Sequence, residues 1–394
     1  MRVSAGRTGP GAGAHRPCLG GMALARNNAF TLLRLLLASA VVFSHSYTLG
    51  GFGPDPLARW CGGQMNFGNL AVAGFFAVSG FLLTHSLAGD ASVARFCVHR
   101  AARILPGYWM ALLLSALVLA PALIAREFPG RFSFGEMLRL GPHSALEYLA
   151  HNWTLRTQQY TIGPLFAGNA GGHAVNGSLW TLYHEAMCYA GLLLLAVSGG
   201  LKPRVTLVLF AAVYGMQVLD FTDHAAFVQI SPLAAMAGQF FSSALMRPLY
   251  LGFLAGMLVR QLDPGGHGKA RWVWVALAVL AASIPAGLLP IAWPLTLPVV
   301  LLHLARRLPL GGAGRLGDWS YGIYIYAFPI QQCLALAGVP RFGVAVFFAA
   351  SLALAFFAGA MSWHLVESPV LQAARGMLAK RRPCAEAMPE PAPG

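Results

Sequence analysis

Charge is what this sequence has least of. Only 10% of its 394 residues are Asp, Glu, Lys or Arg, while 57% are hydrophobic. A water-soluble domain carries about a quarter charged residues, so too few remain here to coat a solvated surface of this size. Nucleic acid is also excluded as a partner. The formal charge is +14, but the Lys and Arg residues fall between hydrophobic runs instead of clustering on one solvated face. None of the cysteines, Cys18, Cys61, Cys97, Cys188, Cys333 and Cys384, forms a CxxC pair, and most lie in or beside apolar runs. Neither a disulfide framework nor a zinc site or other metal site is expected from them. No internal repeat, no cleavable signal peptide and no soluble catalytic domain after the last apolar run is visible.

Long apolar runs are abundant. A bilayer span needs roughly 20 apolar residues, and ten candidates lie near 29–49, 68–88, 104–125, 178–198, 204–221, 245–261, 272–289, 291–306, 319–338 and 342–365. The moderately apolar run 225–244 suits the membrane interface. The expected fold is all-α, a polytopic transmembrane helix bundle of about ten spans occupying residues 28–370. Residues 1–27, with Met22 as a candidate start, and residues 371–394 read as disordered cytoplasmic tails. Basic residues test the span count, because cytoplasmic loops hold the excess of Lys and Arg. With both termini inside, the inner segments carry most of the 27 basic residues, and the outer ones only Arg59, Arg126, Arg131, Arg139, Arg156, Arg247 and Arg341. The outer segment 126–177 is the longest and is rich in Gly, Asn and aromatic residues. Loops of that length usually carry function or are disordered, and this one suits a sugar-like acceptor or a plain cap over the bundle.

One basic residue, Arg34, falls inside the first span, with His45 eleven residues further on. Eleven residues is close to three whole turns, so both lie on one helix face, roughly 16 Å apart along the axis. Ionisable groups within a membrane are costly and usually face the bundle interior or a wet cavity. Arg34 alone could snorkel to the inner headgroups, and His45 alone could be a structural histidine. Their pairing favours function.

The stretch from Arg34 to His45 resembles the Arg-x10-His signature of the acyltransferase-3 family, integral membrane O-acyltransferases. Other stretches agree in order. Residues 72–84, VAGFFAVSGFLLT, resemble the second family span. Residues 95–109, RFCVHRAARILPGYW, resemble its RxxR-xxP-xYW segment through Arg100, Arg103, Pro106, Tyr108 and Trp109. Residues 175–189, VNGSLWTLYHEAMCY, resemble its NGSLWTL-xx-E segment through Asn176, Trp180 and Glu185. Residues 317–329, GDWSYGIYIYAFP, resemble its SYGxY segment, and 362–369, SWHLVESP, its closing Glu-x-Pro. Each motif is weak alone; six in order over residues 28–370 are specific. The chain departs from the family pattern at Ala327, where many members have histidine, and at Tyr183-His184, where Pro-Tyr often precedes the glutamate.

The resemblance implies transfer of an acyl group, commonly acetyl from acetyl-CoA, to a hydroxyl of a cell-surface or lipid-linked glycan, in a bacterial inner membrane. Arg100 and Arg103, three residues apart on one helical face, are expected with Arg34 to bind the CoA phosphates, which guanidinium groups match bidentately. Taken alone, Arg100 and Arg103 would read as a topology signal. His45 is the expected base or the nucleophile that forms an acyl intermediate. Glu185, at a similar depth by residue count, would orient or charge-stabilise it, or else be a buried structural partner for an arginine. Asn176, Trp180, Tyr321 and Tyr324 are expected to contact the acceptor or line the cavity, with the three aromatics as readily packing helices. Glu367 is expected to pair with an inner arginine, and Ser79-Gly80 to permit close helix approach. Acyl-CoA is thus a substrate, with no permanently bound cofactor. Two readings of other classes fit the same composition. A transporter or flippase would use the buried charges as a path, although broken, repeated spans are missing. A family-like sensor without activity would bind CoA without turnover.

Overall fold

The computed structural model describes residues 29–87, 92–228, 243–264, 268–308 and 317–380. The described residues hold helices and no strand. Each of the ten apolar runs carries a helix: α1 Phe30–Leu49, α2 Phe67–Leu87, α3 Val93–Glu127, α4 Trp180–Val197, α5 Pro203–Thr222, α6 Arg247–Leu262, α7 Ala270–Ser283, α8 Leu289–Arg307, α9 Ser320–Leu336 and α10 Val344–Ser362. Among the described residues, seven helices are long and apolar enough to cross a membrane. The shorter α6, α7 and α9 have 16, 14 and 17 residues. Large apolar side chains such as Leu194, Val208, Trp274 and Phe357 stay exposed, as a lipid-facing surface requires. The chain is a multi-pass integral membrane protein.

α9 is the buried axis of the bundle. Every residue from Ser320 to Pro329 is buried, as expected of a helix that is apolar all round. It runs alongside α1 in the same direction: Arg34 meets Asp318 at the end expected inside from loop charge, the inner end, and Gln331 donates to the Val42 carbonyl and Ser46 at the opposite, outer end. Between them Ala38, Val42, Ile323 and Ala327 pack with Ala355 of α10. Ala327, where many family members have histidine, is therefore a packing position here.

Close contact between α2 and α6 comes from glycine. A Cβ at Gly80 would overlap the Phe253 backbone, and one at Gly252 or Gly256 the carbonyls of Ala73 and Ala77. Small residues let backbones approach in this way, so the role expected of Gly80 holds, with Gly252 and Gly256 opposite it.

One sequence boundary changes. A wide π-type turn at Trp363–Glu367 leads α10 into α11, Ser368–Lys380. The chain is thus helical through Lys380, not a tail from 371, because Leu371 and Ala374 pack against Ala102 of α3. Most of the run 225–244, and the tails 1–27 and 381–394, lie outside the described residues.

The outer segment is built, not loose. Asn152 is fully buried. Its side chain accepts from the backbone N–H groups of Gln158 and Gln159 and donates to the Gln159 carbonyl. Tyr108 donates to the Asn152 carbonyl at 2.6 Å. Gln332 of α9 donates to the carbonyls of Gly172 and Ala174. These bonds satisfy backbone groups that a buried loop would otherwise strand.

Candidate active site

Three arginines meet at the inner end of α1, α3 and α9. Arg34 lies 2.8 Å from Asp318, and Arg103 lies 2.7 Å from the same Oδ2. Arg103 also reaches Glu367, 3.2 Å away and fully buried. Ser320 Oγ donates to Asp318 at 2.6 Å and Ser362 Oγ to Glu367 at 2.9 Å. The Arg103 guanidinium lies over Tyr321 and Trp363, 5.3 and 5.6 Å from the ring centroids. Gly317 makes the turn into α9 possible: its φ of +101° favours glycine, and a Cβ there would overlap the Trp363 indole. Asp318 lies just before α9. Burial pushes its pKa up, but the Arg103 and Arg34 guanidiniums and the bonds from Ser320 outweigh this and hold it at about 2.

Arg100 is placed differently. It lies over Tyr189, 5.9 Å from the centroid, and its buried Nε has no hydrogen-bond partner. Among the described residues it makes no ion pair. Arg34, Arg100 and Arg103 line one cavity of about 110 Å³ with Glu185, Tyr321 and Tyr324. Tyr189 also lines it and donates a short hydrogen bond to Glu185. A hydrogen bond between Thr181 and Tyr324 at 2.7 Å lies on its wall.

His45 lies further out. It packs edge-on against Phe328, ring centroids 5.3 Å apart, and its buried Nδ1 has no hydrogen-bond partner among the described residues. Its neighbours fix it on both sides. Ser44 donates to buried Asp55 at 2.6 Å, and Asp55 also accepts from the N–H groups of Ala58 and Phe67. Ser46 is held by Gln331.

Helix register places Glu185 about two turns below His45. Tyr324 is one turn inward of Phe328, and Glu185 is one turn inward of Thr181, the partner of Tyr324. No hydrogen bond joins Glu185 to His45 among the described residues. The similar depth expected from residue counting does not hold, because α4 enters the bundle lower than α1 ends. Glu185 belongs with the arginines and Tyr189.

Asn176 lines neither this cavity nor the outer one beside Trp180. It is buried, and its amide donates to the Ile325 carbonyl at 2.8 Å and accepts from Ser178 N–H. That carbonyl has no helical donor, since the residue four further on is Pro329. Trp180 lines a separate outer cavity of about 380 Å³ with Arg156, Tyr160, Tyr183 and His184. His184 Nδ1 and Tyr250 Oη are 2.7 Å apart.

Asp318, the hub of the ion-pair network, is missing from the residues that the sequence motifs single out. It does leave a signal: it is the one carboxylate between the arginine-bearing inner end of α8 and α9. Tyr189 leaves none, since its partner lies one turn away on a largely apolar helix. Among the described residues no group of three or more His, Cys, Asp or Glu could hold a metal ion.

The acyltransferase-3 family model, described as an acyltransferase domain, matches residues 27–363. Nodulation protein 10 of Rhizobium leguminosarum bv. viciae is 31% identical over 379 residues, covering 90% of this chain and 96% of that one. The O-acetyl transferase of Shigella phage Sf6 is 27% identical over 365 residues, covering 88% and 96%. No solved structure matches. On the family match, the relatives and the helical bundle together, the chain belongs to the acyltransferase-3 family and is a membrane acyltransferase.

Proposed function

We propose that the chain is an inner-membrane O-acetyltransferase that takes acetyl from acetyl-CoA at its inner face and delivers it to a hydroxyl of a surface or lipid-linked glycan. The observation that carries this is the three-arginine cavity below a histidine whose Nδ1 has no partner. Arg100, without a carboxylate, is the primary phosphate ligand. Arg34 and Arg103 are pre-positioned by Asp318 and Glu367, so little ordering cost remains when the donor binds. Glu185 balances the arginine charge and, through Tyr189, sets the cavity wall.

The pantetheine arm runs outward past Thr181 and Tyr324 toward His45. There the acceptor oxygen attacks the thioester carbonyl carbon while His45 removes the hydroxyl proton. The carbon–sulfur bond breaks, the new ester forms, and the proton passes from the imidazolium to the CoA thiolate. The name of the phage relative supports acetyl as the transferred group. Purified protein in nanodiscs with radiolabelled acetyl-CoA and a surface glycan extract should yield labelled glycan. His45→Ala should abolish labelling while retaining the fold, and full labelling in that variant would overturn the assignment.

A further inference from the structure

We infer that the outer cavity is an acceptor subsite selective for a hydroxylated ring that carries an anionic group, a carboxylate or a phosphate ester. This rests on the acyltransferase reading. The cavity, about 380 Å³, lies within the range of small-ligand sites, roughly 300–1,000 Å³. Tyr160, Trp180 and Tyr183 supply aromatic surface of the kind on which a sugar ring packs, and His184 adds a polar group held by Tyr250.

Arg156 gives the site its sign. It is exposed, lines the cavity and has no ion pair among the described residues. Two carboxylates of the outer segment, Glu136 and Glu147, close capping boxes with Ser133 and Ser144, and Glu127 lines a different pocket. The strip that carries Arg156 and Tyr160 is fixed by the buried Asn152 amide, by Gln159 donating to the Ser144 and Thr161 carbonyls, and by Val175 N–H donating to the Tyr160 carbonyl. The fixed strip places the Arg156 guanidinium at an aromatic cavity, where it can pair bidentately with an anion. Helix α4 separates the cavities. Trp180, Tyr183 and His184 face the outer one, and Thr181 and Glu185 the inner one. Donor and acceptor subsites therefore share one helix.

The test uses the full chain in nanodiscs and three probes: methyl β-glucuronide, glucose 1-phosphate and uncharged methyl β-glucoside. Binding is read by saturation-transfer NMR, with acetyl-CoA binding measured on the same wild-type sample. At least one anionic probe should bind about tenfold more tightly than the neutral one; which one identifies carboxylate or phosphate as the source. Arg156→Gln should remove that advantage, and Trp180→Ala should weaken all three. Arg139→Gln, an outer arginine away from the cavity, should change nothing. Equal binding of charged and neutral probes, no sugar binding, or a preference that survives Arg156→Gln overturns the inference. If acetyl-CoA binds while the sugars show no discrimination, only this inference fails; if acetyl-CoA does not bind, the acyltransferase reading fails with it.

Discussion

Arg100 and Arg103 sit three residues apart in sequence, yet their surroundings give them different work. Arg103 is tied to Asp318, Glu367 and two aromatic rings, so removing it strands the buried Glu367 and leaves Asp318 with Arg34 alone. Losing one partner of a buried ion pair costs about 3–5 kcal/mol. Arg103→Ala should therefore lower the thermal unfolding midpoint by several degrees. Arg100→Ala should leave the midpoint within a degree or so and instead raise the KM for acetyl-CoA about tenfold or more. Equal midpoint losses would refute this split. Asp318 adds a pH signature. Its folded pKa of about 2 lies below the usual 3.8, so its contribution, about 2 kcal/mol, is complete above the unfolded pKa. It is lost as pH falls through the folded value. The midpoint gap between wild type and Asp318→Asn should be constant above pH ~5 and close between pH ~4 and ~2; a gap unchanged at low pH would contradict the ion-pair assignment. At this scale motif spacing singles out the three arginines that the fold brings to one cavity. Glu367 is expected from the sequence to pair with an arginine, and Arg103 is that arginine. Asp318, the partner shared by Arg34 and Arg103, is not singled out, because the pairing joins distant parts of the chain.

α9 carries a proline in its interior, and the bundle compensates from another segment. Asn176 supplies the donor that Pro329 denies to the Ile325 carbonyl. Asn176→Ala should destabilise the protein by about 1–3 kcal/mol, the cost of an unsatisfied buried carbonyl. Adding Pro329→Ala restores a backbone N–H four residues on and should recover part of the loss. Additive losses in a double-mutant cycle, read by thermal unfolding, would argue against the compensation. Helix identity and approximate length are legible in the sequence, since every apolar run forms a helix. Depth is not. Counting residues places Glu185 level with His45, but the register of α4 against α9, set by the Thr181–Tyr324 bond, puts it lower. Nor does the tail composition reveal α11, whose helix depends on packing against α3.

The whole molecule separates an arginine-lined inner cavity from an aromatic outer one, and that polarity requires a defined orientation. In a background with Cys97 as the sole cysteine, an impermeant maleimide added to intact cells should label this exposed residue only after the membrane that holds the protein is permeabilised. A single cysteine replacing Arg139 should label without that step, from the opposite side of the membrane. The opposite pattern would invert the donor and acceptor sides. The expected orientation is legible in the distribution of loop charge along the sequence. The outer cavity is not, because it brings Arg156 and Tyr160, on a strip fixed by buried amides, against Trp180, Tyr183 and His184 of α4. The central claim is a division of labour along α1 and its neighbours: arginines hold the donor, and His45 performs the transfer about three turns further out. It is tested most directly by measuring acetyl-CoA affinity and acetyl transfer side by side in wild type, Arg100→Ala and His45→Ala. Arg100→Ala should lose affinity, and His45→Ala should bind acetyl-CoA as wild type does but transfer nothing. A His45→Ala protein that still transfers acetyl at the wild-type rate would contradict the account.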